Sequence, residues 1–103
     1  MVSGRRFSPD RLEIQVGETV TFRNAADDSH TVTAIEESIP EGATYFASGG
    51  FNSEEAARDN IADGLLTNRQ SYEIAFTTPG TYRYYCIPHQ ADGMTGEIVV
   101  AGP

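Results

Sequence analysis

The chain has 103 residues and a formal net charge of −8. Its length suits one domain with its own core, so we expect a single domain over residues 1–103, with residues 1–6 as a flexible or added N-terminal segment. Fifteen acidic residues stand against seven arginines and no lysine, so no basic face is available for nucleic acid. No apolar run is long enough to cross a membrane.

Alternation of apolar and polar residues predicts strands along most of the chain. Leu12, Ile14 and Val16 alternate with polar residues, and after a turn at Gly17 the pattern resumes at Val20 and Phe22. These two runs predict a β-hairpin. Further strand patterns cover 31–35, 71–76, 82–86 and 96–100. Many short strands separated by turns predict an all-β antiparallel sandwich.

The strand pattern is interrupted between residues 36 and 68. Ser53 followed by Glu54 and Glu55 is typical of a helix start, because Ser caps the first turn and acidic residues favour its positive end. We therefore expect one short helix within this long connection. The connection is also the most acidic part of the chain, and its acidic residues are Glu36, Glu37, Glu41, Glu54, Glu55, Asp59 and Asp63.

The stretch that ends the strand at 82–86 contains an unusual set of side chains. Cys86 is the only cysteine, His89 is one of two histidines, and Met94 is the only methionine besides Met1. The second histidine, His30, follows a polar loop far upstream. A thiolate, two imidazoles and a thioether form the ligand set of a mononuclear blue-copper site. Pro88 and Gly93 give the loop a rigid and a permissive backbone position.

Other interpretations of these four residues remain open at this point. A buried cysteine, a surface histidine and a core methionine each have ordinary structural roles. Zinc also accepts cysteine and histidine, but its structural sites prefer four N, S or carboxylate ligands, and a thioether suits it poorly. The joint occurrence of all four residues favours copper.

The copper loop carries a resemblance to a known family. Residues 82–100 read Tyr-x-Tyr-Tyr-Cys-x-Pro-His-x-x-x-Gly-Met-x-Gly-x-Ile-x-Val, which resembles the copper loop of plastocyanins and halocyanins. The likeness extends to residues 7–9 and 17–24, to His30, and to residues 39–42 and 53–55. It implies a cupredoxin-type Greek-key β-sandwich of about eight strands, and one type 1 copper ion bound by His30, Cys86, His89 and Met94.

Two departures from the plastocyanin pattern stand out. Plastocyanins typically have asparagine after the first histidine ligand, whereas this chain has Thr31, whose hydroxyl would have to replace the amide in bracing the site. Residues 44–66 form a longer stretch than in plant plastocyanins. The acidic docking surface of those proteins is therefore not transferred to this chain residue by residue.

The resemblance implies a mobile one-electron carrier that cycles Cu(II)/Cu(I), and not an enzyme. His89 would be the electron port, and Tyr85, next to the thiolate, would offer a second route. We expect a monomer with transient redox-protein donors and acceptors, and the acidic composition suits basic ones. We also expect export to a periplasmic, extracellular-face or lumenal site, with any targeting or anchor segment outside these residues. The alternatives are a copper-delivery protein, or a cupredoxin module of a larger copper oxidase or respiratory complex.

Overall fold

The computed structural model describes residues 2–3, 6–7, 10–24, 29–88 and 93–102. Within these residues the chain forms eight strands, two short α-helices and one 3-10 helix. The strands are β1 (Val2–Ser3), β2 (Arg6–Phe7), β3 (Arg11–Gln15), β4 (Thr19–Arg23), β5 (Thr33–Ala34), β6 (Ser71–Ala75), β7 (Gly80–Tyr85) and β8 (Thr95–Ala101). The prediction of a β-rich chain of about eight strands is confirmed.

The strands form two facing layers and a small ladder. The larger sheet has the order β3-β8-β7-β5, and the smaller pairs β4 with β6. Strands β1 and β2 pair separately near the N-terminus. All pairs are antiparallel except β3 with β8, which is parallel. This arrangement is a Greek-key sandwich with the copper-loop strand, β7, inside the larger sheet.

The predicted hairpin between residues 12–16 and 20–22 is wrong. Strands β3 and β4 lie in different sheets and do not pair with each other. The turn between them crosses from one layer to the other: the Val16 N–H donates to Ala101 O at 3.0 Å, and the Gly17 N–H donates to Phe76 O at 2.8 Å. The crossing lets Ile14 face the core from one layer while Val20 and Phe22 face it from the other.

Aromatic side chains fill the space between the layers. Tyr84 of β7 makes edge-to-face contacts with Phe22 at 5.1 Å and with Phe7 at 4.7 Å between ring centroids. Tyr82 contacts Phe76 in the same way at 4.9 Å. Burial of each such side chain contributes roughly 1.5–3 kcal/mol to stability. Because Tyr82 and Tyr84 alternate along β7, the next residue on their face, Cys86, also points into the molecule.

The connection from residue 36 to 64 contains more helix than the sequence predicts. A 3-10 helix covers Glu36–Ser38, and α1 (Glu54–Asp59) begins where expected, with Ser53 Oγ accepting the Ala56 N–H at 3.1 Å. A second helix, α2 (Ile61–Gly64), follows after Asn60. The prediction of one helix missed α2 because four residues carry no readable periodicity. In the described part of the chain, no helix has the length and apolar content needed to cross a membrane.

Candidate metal centre

Cys86 directly follows β7 and is fully buried, with 0% of its surface exposed. Its N–H donates to the backbone oxygen of Met94 at 3.1 Å, which closes the loop that begins at Cys86. Met94 is also buried, at 1% exposure. Gly93 before it has a φ of +73°, a left-handed conformation that glycine adopts without strain. The loop therefore begins and ends with two buried sulfur side chains.

His30 reaches the same region from the opposite direction of the chain. Its backbone forms a two-bond bridge with Leu66: the His30 N–H donates to Leu66 O at 3.0 Å, and the Leu66 N–H donates to His30 O at 2.7 Å. The buried Asn24 side chain donates to the same Leu66 oxygen at 2.7 Å. These bonds fix the backbone on both sides of a fully buried imidazole.

The thiol of Cys86 and the imidazole of His30 meet although 56 residues separate them. Cys86 Sγ lies 3.6 Å from His30 Nδ1, and the Thr31 N–H donates to the same sulfur at 3.4 Å. A buried sulfur that accepts a backbone N–H is suited to carry the negative charge of a thiolate. The structure thus brings together His30 and Cys86, and Met94 is hydrogen-bonded through its backbone oxygen to the backbone N–H of Cys86.

The donor set fits a copper ion. Imidazole nitrogen and thiolate sulfur serve both Cu(I) and Cu(II), and a thioether such as Met94 is the usual weak axial ligand. Among the described residues, no third His, Cys, Asp or Glu side chain joins His30 and Cys86 in a metal-binding group. The fourth predicted ligand, His89, lies outside the described residues. The described donors are therefore one imidazole nitrogen and two soft sulfurs, of which only the thiolate carries a charge.

Thr31 makes a second contact with the loop. Its Oγ1 accepts the N–H of Ile87, the residue after Cys86, at 2.9 Å, and also accepts the hydroxyl of Thr33 at 3.1 Å. The hydroxyl of Thr31 therefore braces the loop in the position where the plastocyanin pattern has an amide. Sequence reasoning missed Thr33. The available signal was the spacing of Thr31 and Thr33, which puts both side chains on one face of an extended segment.

Tyr85 lies on the other side of β7 and is only 2% exposed, because α1 packs over it. Its hydroxyl donates to Glu54 Oε2 at 2.8 Å and accepts from Arg58 Nη1 at 2.6 Å. The Arg58 guanidinium carbon also lies 5.7 Å from the ring centroid. Burial is the main cause that raises the pKa of Tyr85, the hydrogen bond to Glu54 raises it further, and Arg58 lowers it. The phenol therefore stays protonated at neutral pH.

Comparison with known proteins decides the family. The model for "Copper binding proteins, plastocyanin/azurin family" matches residues 3–101. The chain belongs to this family. Plastocyanin A/B of Petroselinum crispum is 33% identical over 97 residues, covering 94% of this chain and 89% of that protein. The chloroplastic plastocyanin of Chlamydomonas reinhardtii is 38% identical over 94 residues, and the match covers 91% of this chain but 57% of that longer one.

Solved structures of the family share the fold. A reduced mutant of amicyanin superposes with a TM-score of 0.69 at 27% identity, covering 97% of this chain and 77% of that one. Oxidised plastocyanin from Dryopteris crassirhizoma gives a TM-score of 0.65 at 28% identity, covering 93% and 88%. The predicted resemblance to blue copper proteins, the cupredoxin-type fold and copper as the cofactor are confirmed. His30, Cys86 and Met94 are positioned as in a type 1 copper site.

Proposed function

We propose that this protein is a mononuclear type 1 copper protein and a mobile one-electron carrier, with His30, Cys86, His89 and Met94 as the copper ligands. The observation that carries the proposal is the 3.6 Å approach of Cys86 Sγ to His30 Nδ1 in a fully buried setting. Copper bound there would supply the Cu(II)/Cu(I) couple. The proposal makes residues 1–103 a single cupredoxin domain without enzymatic activity.

The protein's own contribution is a fixed cage. Cys86 is tied to Thr31 and Met94, and His30 is tied to Leu66, through hydrogen bonds that backbone N–H groups donate, between 2.7 and 3.4 Å long. Residues held this firmly cannot rearrange much when the charge of the site changes by one. A small rearrangement keeps the barrier to electron transfer low in both directions.

Two routes for the electron follow from this assignment. His89, in the loop between Cys86 and Met94, would present its ring edge to a partner and act as the main port. Tyr85 would offer a second route through the covalent bond to Cys86. Since α1 covers the Tyr85 ring, that route would reach the surface through Arg58, whose side chain is exposed. Tyr85→Phe tests it: a partner that uses this route should react more slowly, while the blue band stays unchanged.

The surface charge supports transient redox partners with a basic docking face. Six carboxylates in the connection between residues 36 and 63 are exposed: Glu36, Glu37, Glu41, Glu55, Asp59 and Asp63. With a net charge of −8, this surface would speed encounters with a cationic partner. The rate of electron transfer to such a partner should fall as ionic strength rises. A rate that is independent of salt would argue against a basic partner.

We also propose a monomeric protein that works in an exported location. Some relatives are chloroplastic plastocyanins, among them that of Chlamydomonas reinhardtii. Secretion of the natural gene product, followed in a cell fractionation, tests the location. Sedimentation of the copper-loaded chain tests the monomer.

Copper addition to the metal-free chain tests the central assignment. One equivalent of Cu(II) should give an intense blue thiolate-to-copper absorption, and Cys86→Ser should abolish it. Ser38→Cys, which restores a thiol at a distant partly buried site in the Cys86→Ser background, is the matched control and should stay colourless. A colourless wild-type protein that binds one equivalent of zinc tightly would contradict the assignment.

Copper exchange separates a carrier from a copper-delivery protein. A carrier should cycle reversibly at an electrode and keep its metal in the presence of a moderate Cu(I) chelator. A delivery protein should release Cu(I) to the chelator within the time of mixing. The fixed backbone around His30 and Cys86 favours retention.

A further inference from the structure

The side chain of Thr31 is held by two donors at once. Both Thr31 and Thr33 are buried, at 2% and 1% exposure. The Ile87 N–H and the Thr33 hydroxyl converge on Thr31 Oγ1 at 2.9 and 3.1 Å. A hydroxyl oxygen has two acceptor positions, and both are filled here. The rotation of the Thr31 side chain is therefore fixed from two directions.

Thr31 in turn holds the backbone and the sulfur of the copper loop. Its N–H donates to Cys86 Sγ, and its Oγ1 accepts from Ile87, the next residue of the loop. One residue thus contacts both the sulfur of Cys86 and the backbone of Ile87. A change in the orientation of Thr31 would move the sulfur relative to His30.

Thr33 has the firmer anchorage of the two threonines. It belongs to β5, where it pairs with Tyr85 of β7, and it forms a further β-bridge with Ala47. Its β-branched side chain has few rotamers available. The position of its hydroxyl is therefore set by the sheet.

We propose that Thr33 is a positioning residue for the copper site, acting through Thr31 on the sulfur of Cys86. Its hydroxyl locks the Thr31 side chain in the rotamer that receives the Ile87 N–H. This bond holds Ile87, the neighbour of Cys86, against Thr31, whose backbone N–H donates to the Cys86 sulfur. The proposal rests on Cys86 being the copper ligand. It assigns no direct contact between Thr33 and the metal.

Hydrogen exchange of the Ile87 amide tests, in the absence of copper, whether the Thr33 hydroxyl holds Thr31 in place for the bond from Ile87. In the metal-free chain, Thr33→Val should speed this exchange by roughly three- to tenfold, the equivalent of ~0.6–1.4 kcal/mol and within the range of one buried hydrogen bond. Thr33→Ser keeps the hydroxyl and should behave as wild type. Thr81→Val removes an exposed hydroxyl from β7 and is the matched control. Thr33→Ala provides a second hydroxyl-free variant if Thr33→Val does not fold.

The reduction potential of the copper form tests whether Thr33 affects the metal site. Thr33→Val should shift the potential in the same direction as Thr31→Val and by less, and Thr33→Ser should restore it. Because Thr33 acts only through Thr31, the double variant should shift no further than Thr31→Val alone. A structural defect unrelated to the site would leave the potential and the blue band unmoved.

The outcomes separate this proposal from the copper assignment. Additive shifts in the double variant, or a Thr33→Val protein with wild-type exchange and potential, would overturn the role of Thr33 while the blue band of the wild type stands. A wild-type protein without a blue band would instead overturn the copper assignment, whatever the exchange of Ile87 shows.

Discussion

The two sides of strand β7 next to Cys86 are held by different kinds of interaction. On the inner side, Cys86 contacts His30 and Thr31, which are fully or almost fully buried, through one ring nitrogen and one backbone N–H. On the outer side, Tyr85 binds a carboxylate, Glu54, and a guanidinium, Arg58. We call these the inner contacts and the outer cover.

The outer cover is itself fastened by charged side chains. Glu54 Oε1 accepts the Glu36 N–H, and Glu36 Oε1 accepts the Glu54 N–H, both at 2.9 Å. These bonds are exposed, so water and salt weaken them. The inner contacts are buried, so salt does not reach them. The candidate metal site lies among the inner contacts, whereas the outer cover shields β7 and adds a smaller, salt-dependent share of stability.

The largest effect is expected at Gly96, on the inner side. This residue pairs with Tyr84, and a Cβ built on it would lie 2.5 Å from the Tyr84 ring. Gly96→Ala should therefore displace Tyr84 and lower the free energy of unfolding by about 2–3 kcal/mol. Urea denaturation of the copper-free chain measures the loss.

Thr95→Ala is the control for this variant, because Thr95 is exposed on the same strand. Its effect should stay within about 0.5 kcal/mol. A Gly96→Ala protein as stable as wild type would show that the inner side is packed more loosely than the distances indicate.

A smaller effect is expected for Tyr85→Phe, on the outer side. The ring keeps its place, but Glu54 and Arg58 lose the hydroxyl between them and return to water. The free energy of unfolding should fall by about 0.5–1.5 kcal/mol. The loss should shrink in high salt, because the outer cover is charged.

The absorption and the reduction potential of the Tyr85→Phe copper form provide a second test. The blue band and the potential of the copper form should match wild type, since no inner contact changes. A changed band would mean that the outer cover helps to shape the metal site, and the separation of the two sides would fail.

The order of apolar and polar residues in the sequence predicts much of this structure. Alternation predicted β6, β7 and β8, Ser53 predicted the start of α1, and the spacing of Cys86 and Met94 together with His30 led to the metal centre. Alternation could not say that β3 and β4 belong to different layers, because two half-buried strands satisfy it equally well in one sheet or two. The parallel pairing of β3 with β8 depends on contacts far apart in sequence.

The outer cover was not predictable for the same reason. Tyr85 of β7 is 27 residues from Arg58 and 31 from Glu54 along the chain, and no local pattern links it to either. Glu54 and Arg58 are four residues apart on α1, a spacing that places their side chains on one face of the helix. The structure shows that both side chains bind the Tyr85 hydroxyl.

The smallest effect concerns alkaline pH. Burial raises the pKa of Tyr72 to about 12, although a hydrogen bond with the Ala47 backbone lowers it in part. A phenol that holds its proton more tightly when folded stabilises the protein fully below the unfolded pKa of about 10. That stability is lost as the pH rises from about 10 to about 12.

Denaturation midpoints measured across this pH range test the effect, with Tyr72→Phe as the variant. Burial also raises the pKa of Tyr84 and of Tyr85. The wild type should therefore lose stability more steeply with rising pH than Tyr72→Phe, but the stability of the variant should still fall. Identical slopes for the two proteins would contradict the assignment to Tyr72.

The electron paramagnetic resonance spectrum of the Cu(II) form tests the central claim most directly. With one equivalent of copper, the proximity of Cys86 to His30 predicts a single species with the narrow copper hyperfine splitting that a covalent thiolate ligand produces. Cys86→Ser should replace it with the wide splitting of ordinary nitrogen and oxygen coordination. A wide splitting in the wild type, unchanged by Cys86→Ser, would contradict a type 1 copper site.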